Sequence, residues 1–175
     1  MTAQDDAGMS LVELLVGIAV AALFGGMIVV AFVNGLTATQ QATARDRATG
    51  HANVVTASLT QSLRNATTFR VMPDGKRLDA TVYTSSGSWQ CRAWVLSGGD
   101  LLYSAGTTAR PTATTGWKPI AKGASGTLTA GAAFAWEGDR GVTIGLRLIQ
   151  HGETATVSSG ATSQATSTGG APACW

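Results

Sequence analysis

A long apolar segment with a single acidic residue at its start constrains this chain more than any other feature. From Leu14 to Val33 the sequence contains no charged residue. As a helix this segment would be about 30 Å long, which matches the hydrocarbon core of a bilayer. Glu13 directly precedes it, and a carboxylate at the bilayer centre costs about 2.5–3.5 kcal/mol. The sequence therefore predicts a membrane-spanning helix whose acidic residue needs a partner.

The residues that lead into this helix resemble a processing signal. Gly8 is followed by the hydrophobic Met9, and Glu13 stands at the fifth position after Gly8. This arrangement resembles the type IV prepilin signal of the pilin and pseudopilin family. The resemblance implies cleavage after Gly8 by a prepilin peptidase and N-methylation of Met9. It also implies that Glu13 meets the amino terminus of a neighbouring subunit, where two groups that are each costly in lipid offset one another.

Small residues follow the acidic residue along one helix face. Gly17, Ala21 and Gly25 continue from Glu13 at four-residue spacing, which places all four on the same side of a helix. Small residues at this spacing allow a second helix to approach closely in a membrane. Gly is also frequent in spanning helices generally, so a plain membrane anchor stays open as an alternative. An ordinary secretory signal is cleaved after its apolar core, whereas Gly8 precedes the core.

The chain contains two cysteines, Cys91 and Cys174. In an extracytoplasmic domain an even number of cysteines favours a disulfide, and two free buried thiols are the alternative. The pilin resemblance implies a C-terminal loop closed by a disulfide. No second Cys or His stands at ligand spacing from either cysteine, so the sequence predicts no metal site.

Hydrophobic periodicity predicts the remaining elements. Val55, Leu59 and Leu63 recur every four residues, with Val54 beside them, which predicts that the helix continues to about Arg64. Alternation of apolar and polar residues, punctuated by Gly-containing turns, then predicts short antiparallel strands. These strands cover residues 78–83, 89–96, 101–103, 134–136, 142–148 and 154–158, and residues 104–130 are expected to be loop-like.

The predicted fold class is α+β, a type IV pilin-like arrangement with a long N-terminal helix packed on a C-terminal antiparallel β-sheet. The tail is rich in Gly, Ala, Ser and Thr, a composition typical of flexible segments. The predicted parts are a leader (1–8), a hydrophobic transmembrane and assembly helix (9–34), its amphipathic continuation (35–66), a β-sheet head domain (67–158) and the tail (159–175).

No group of residues suggests catalysis or a cofactor. His51 and His151 have no nucleophile beside them in a recognisable motif, and no serine stands in a Gly-x-Ser-x-Gly context. The net charge is +2 and only 13% of the residues are charged, which is too weak a positive charge to indicate a nucleic-acid partner. We therefore expect a protein that is not an enzyme.

The sequence favours a structural and minor pilin-like subunit of a type IV pilus or of a related secretion or DNA-uptake pseudopilus. Its expected partners are the prepilin peptidase, other pilin or pseudopilin subunits and the membrane. It would span the inner membrane once, with the head extracytoplasmic, and then join a cell-surface or periplasmic fibre. The alternative is a single-pass, membrane-anchored binding or adhesion module that does not polymerise.

Overall fold

One long helix and a set of antiparallel strands make up the fold. A computed structural model describes residues 10–150, 152–165 and 171–175, so Gly8, Met9 and His151 lie outside the described residues. The helix α1 spans Leu11–Arg64 and nine strands, β1 to β9, follow it in the described chain. The chain divides into two units, the first ending at Thr43 and the second running from Ala44 to Trp175. The predicted α+β class is confirmed.

The helix α1 is continuous because its interior lacks proline and is rich in Ala, Leu and other good helix formers. Glycines at 25, 26, 35 and 50 each weaken a helix by about 1 kcal/mol relative to Ala, yet no break occurs at any of them. The helix ends at Arg64, whose carbonyl accepts a hydrogen bond from the Gln164 N–H at 2.9 Å. This bond satisfies one of the carbonyls that a helix end leaves unpaired.

Within the second unit, one face of α1 packs on the strands. The buried residues Val55, Leu59 and Leu63 are those of the predicted stripe, and Ala48 and Ala52 extend it towards the N-terminus. Val54, expected beside the stripe, is 68% exposed. One residue rotates the side chain by about 100° around the helix axis, and this turns Val54 away from the sheet.

Five strands form a meander in which each strand pairs with the next. Leu78, Ala80 and Val82 alternate along β2 and face the core, where they join the buried residues of α1. Gly75 adopts a φ of 63° in the turn between β1 and β2, a backbone region that glycine enters without steric cost. The strands of this meander sheet are β1 (Ala66–Val71), β2 (Arg77–Tyr83), β3 (Trp89–Ser97), β4 (Asp100–Gly106) and β5 (Lys118–Ala121).

A second sheet is built around β8. This strand pairs along its whole length with β9, so β6 and β7 share its other edge. Phe134, Ile144, Leu146 and Leu148 are buried and belong to the same hydrophobic core as Leu59. The strands are β6 (Ala124–Gly126), β7 (Phe134–Glu137), β8 (Gly141–Gln150) and β9 (Glu153–Thr162).

Three segments differ from the predicted elements. The stretch expected to be loop-like, 104–130, contains β5 and β6, and β1 occupies residues that no pattern marked as a strand. The strand β9 continues to Thr162, beyond residue 159 where the flexible tail was expected to begin. In each segment the strand forms through pairing with a neighbouring strand, and such tertiary context overrides weak local propensity.

Candidate assembly helix and disulfide-bound head

Glu13 lies in the first turn of α1, and its side chain is exposed. Among the described residues no hydrogen bond or ion pair reaches its carboxylate. The proposed cleavage and methylation residues, Gly8 and Met9, lie outside the described residues. Within the described part of the chain, the carboxylate of Glu13 is thus exposed and without a partner.

The small residues form an open ridge on α1. Each four-residue step rotates by about 40° around an α-helix, so Glu13, Gly17, Ala21 and Gly25 form a slanted ridge. A Cβ atom added at Gly17 or Gly25 would meet no heavy atom within 4 Å. The backbone of α1 is therefore accessible at these two positions, and close approach of a second helix requires such access.

A second small-residue notch lies beside this ridge and was missed by the sequence reasoning. Ala22 and Gly26, four residues apart, leave a shallow apolar depression of about 570 Å³. Their spacing was the available signal, because it repeats the pattern of Ala21 and Gly25 one residue later along the chain. The notch is lined by Ala22, Leu23, Gly26, Met27, Val30, Ala31 and Asn34.

The apolar side chains of this part of α1 are exposed. The helix is long and apolar enough to cross a membrane, and its most apolar window is not buried inside the molecule. An exposed apolar surface of this extent is typical of a surface that lipid or protein covers. Its large members are Leu11, Val12, Leu14, Leu15, Val16, Ile18, Val20, Leu23, Phe24, Met27, Ile28, Val29, Val30, Phe32, Val33 and Leu36.

A disulfide attaches the C-terminal segment to the head. Cys91 of β3 is bonded to Cys174, with 5.3 Å between their Cα atoms, and both residues are buried. Cys91 pairs with Thr81 of β2, so it points to the face of the meander sheet opposite the core face. The guanidinium of Arg70 lies 5.4 Å from the ring centroid of Trp175. Both contacts fix residues 174 and 175 against this outer face.

A buried ion pair also occupies the outer face. Arg77 Nη2 and Nε donate to Asp79 Oδ1 at 2.8 and 3.0 Å, and the Asp79 side chain is only 1% exposed. Arg77 donates as well to the carbonyls of Pro111 and Arg110, and its guanidinium lies 5.2 Å from the Trp117 ring centroid. Arg77 therefore binds the loop after β4 to the sheet.

The alternation over residues 78–83 predicts that Asp79 lies on the polar side of a half-buried strand, whereas β2 is buried on both faces up to Val82. The available signal was the two-residue spacing of Arg77 and Asp79, which puts opposite charges on one face of a strand. Both carboxylate oxygens of Asp79 accept hydrogen bonds from Arg77, so this pair has a structural role.

The structure thus separates the two groups of residues for which the sequence predicts a role. Glu13, Gly17, Ala21 and Gly25 lie together on the exposed part of α1, and the linked Cys91 and Cys174 lie in the head. Within the described parts of the chain, no group of three or more His, Cys, Asp or Glu side chains is arranged to hold a metal ion. No protein-family model, curated protein or solved structure matches this chain.

Proposed function

We propose that this chain is a structural, minor pilin-like subunit of a type IV pilus or of a related secretion or DNA-uptake pseudopilus. The observation that supports this function most is Glu13, an exposed carboxylate that no described residue partners, at the start of an exposed apolar helix. In a membrane or a helical bundle such a carboxylate needs a positive partner. The open ridge at Gly17 and Gly25 provides a surface on which the helix of that partner can pack.

In this mechanism the chain first spans the membrane once, with its head on the extracytoplasmic side. A prepilin peptidase cleaves after Gly8, and the new amino group of Met9 is methylated. On extraction into the fibre, Glu13 of one subunit pairs with the amino terminus of its neighbour, and this pairing sets the axial register of the two helices. The disulfide between Cys91 and Cys174 suits an oxidising extracytoplasmic compartment.

The head supports a minor rather than a major subunit. Its outer sheet face is covered by a loop bound through Arg77 and by the segment that ends at Cys174 and Trp175. Such a covering loop and disulfide-bound segment suit a subunit with a specialised position in the fibre better than a subunit that repeats uniformly along it. Quantifying the protein in sheared fibres tests this assignment, because a dominant share would identify a major subunit.

Replacing Glu13 tests the assembly mechanism. In Glu13→Ala the apolar helix is kept, so we expect normal membrane insertion but about tenfold or greater loss from sheared fibres, the ratio that corresponds to about 1.4 kcal/mol of pairing free energy. Immunoblots of the membrane and fibre fractions give both quantities. The control is Thr37→Ala, which removes a hydroxyl that donates to the Val33 carbonyl of the same helix. If the Glu13→Ala variant enters fibres normally, Glu13 has no role in fibre assembly.

The N-terminus of the mature protein distinguishes the subunit from a non-polymerising anchor. We expect mass spectrometry of protein from peptidase-positive cells to find a chain that begins at methylated Met9. In a strain that lacks the peptidase, the same chain should begin at Met1. An intact leader in the peptidase-positive cells would favour a membrane-anchored binding or adhesion module instead.

A further inference from the structure

The second sheet ends in a long edge strand. β9 pairs with β8 over ten residues, from Gly141↔Thr162 to Gln150↔Glu153, without a register shift. In the part of the chain that the structure describes, no strand pairs with its other edge. Alternate N–H and C=O groups of β9 therefore point away from β8 and are available for hydrogen bonds.

This edge lacks the features that block strand addition. Edge strands in soluble domains are usually short, bulged, charged or interrupted by proline. β5 has four residues and contains Lys118 and Pro119. β1 has an irregular register near its start and contains Arg70. Between residues 154 and 162, β9 has no charge, no proline and no bulge.

A groove runs along the open edge within the second unit. One wall is formed by residues 154–159 of β9, and the other is the face of α1 that contains Arg45, Thr49, Ala52, Asn53 and Thr56. Its volume is about 470 Å³. The wall from α1 consists mostly of side chains that can form hydrogen bonds, and it stands beside the backbone groups of β9. We call this space the β9 groove.

We propose that the β9 groove binds an extended segment of another polypeptide, which adds to the second sheet as a further strand. Main-chain groups of the segment would pair with the free N–H and C=O groups of β9, as in other cases of strand addition. Its side chains on the helix side would contact Thr49 and Asn53. These contacts suit small side chains that form hydrogen bonds, such as Ser and Thr.

The charges of the groove favour a neutral segment. Arg45 Nε lies 3.8 Å from Glu153 Oε2, so the two charges at this end of the groove offset each other. The rest of the lining is uncharged. A segment of Ser, Thr, Ala and Val therefore fits the groove better than a basic or acidic one.

The geometry disfavours a second copy of β9 as the occupant. Each copy would bring its own α1 alongside its free edge, and a helix with side chains is about 10 Å wide, whereas paired strands lie only about 4.8 Å apart. In an antiparallel pair of two β9 strands, the two helices would lie on the same face of the sheet and would therefore overlap. The occupant is therefore a strand without a helix beside its edge, and this inference does not depend on fibre assembly.

Binding of a synthetic strand tests the proposal. The probe is a nonapeptide with the sequence of residues 154–162 and blocked termini, whose neutral composition matches the expected occupant, added to the full chain in detergent micelles. At a peptide concentration about ten times the dissociation constant, amide hydrogen exchange in β9 should slow about tenfold. A peptide N-methylated at alternate residues cannot pair and should give no protection. Absence of protection by the unmodified peptide at about 1 mM, a very weak affinity limit, would overturn the proposal.

Two adjacent tryptophan substitutions provide matched variants. Asn53→Trp fills the groove from the helix side, and we expect it to abolish the peptide-dependent protection. Val54→Trp places the same side chain one residue further, on the exposed face outside the groove, and should leave the protection unchanged. Unaltered exchange in β2 and β3 verifies that each variant is folded. Retained binding in Asn53→Trp, or dimers of the full chain cross-linked through β9, would contradict the proposal.

Discussion

Asp79 is the residue on which the packing of the outer sheet face depends. It accepts hydrogen bonds from Arg77 and lies 3.5 Å from Arg70 Nη2. Removing a buried charge pair from water is costly, and the cost is offset only when the groups are fully hydrogen-bonded. Arg77 meets this condition by also donating to the carbonyls of Arg110 and Pro111. The carboxylate thus orients the arginine that binds the covering loop.

We expect Asp79→Ala to destabilise the head by about 3–5 kcal/mol, because it leaves the buried Arg77 without its counter-charge. Urea denaturation monitored by tryptophan fluorescence measures this loss. Asp74→Ala is the matched control, since Asp74 is exposed and accepts one hydrogen bond, from the Lys76 N–H at 3.0 Å. Its loss should be about 0.5–1.5 kcal/mol. Equal losses in the two variants would contradict a structural role for the ion pair.

At the scale of elements, α1 has two surfaces with different surroundings. From Ala48 to Leu63 a stripe is buried against the sheets, whereas the apolar side chains from Leu11 to Leu36 are exposed. A single uninterrupted helix therefore provides both the packing of the head and the surface proposed for assembly. The buried stripe follows from periodicity and the apolar surface from an uninterrupted apolar run, which is why the sequence alone could predict both.

The C-terminal segment is the element most dependent on a covalent bond. The Cys91–Cys174 bond closes a loop of 83 residues, and in the chain-entropy model such a loop contributes about 4–5 kcal/mol. We expect the urea midpoint of the head to fall on addition of a reductant. The double variant Cys91→Ser/Cys174→Ser should have the lower midpoint with or without reductant. A midpoint that is insensitive to reductant in the unmodified protein would contradict this contribution.

At the scale of the whole molecule, local patterns and distant contacts differ in how well the sequence predicts them. The helix, the hairpins of the meander sheet and the strand β8 have clear local periodicity, and the structure contains each of them. The full length of β9 depends on pairing with β8. The Ser163 hydroxyl, 2.6 Å from the Ala66 carbonyl, joins residues 97 positions apart. No local signal predicts such contacts.

The candidate sites also differ in whether they depend on local residue spacing or on contacts between distant parts of the chain. The ridge of Glu13, Gly17, Ala21 and Gly25 lies within one helix, so residue spacing was sufficient to predict it. The ion pair of Arg77 and Asp79 is buried only because a loop and the C-terminal segment cover the second face of β2. The β9 groove likewise requires α1 and β9, which are about a hundred residues apart in the chain.

The bond between Cys91 and Cys174 has a consequence for the order of events during synthesis. At a ribosomal rate of about 5–20 residues per second, the 83 positions from Cys91 to Cys174 take about 4–17 s to emerge. During that delay the Cys91 thiol has no partner for a disulfide, and the outer face of the nascent meander sheet stays exposed to water. The disulfide can therefore form only after Cys174 has been delivered, and until then the cell has to keep the lone Cys91 thiol from reacting with another partner.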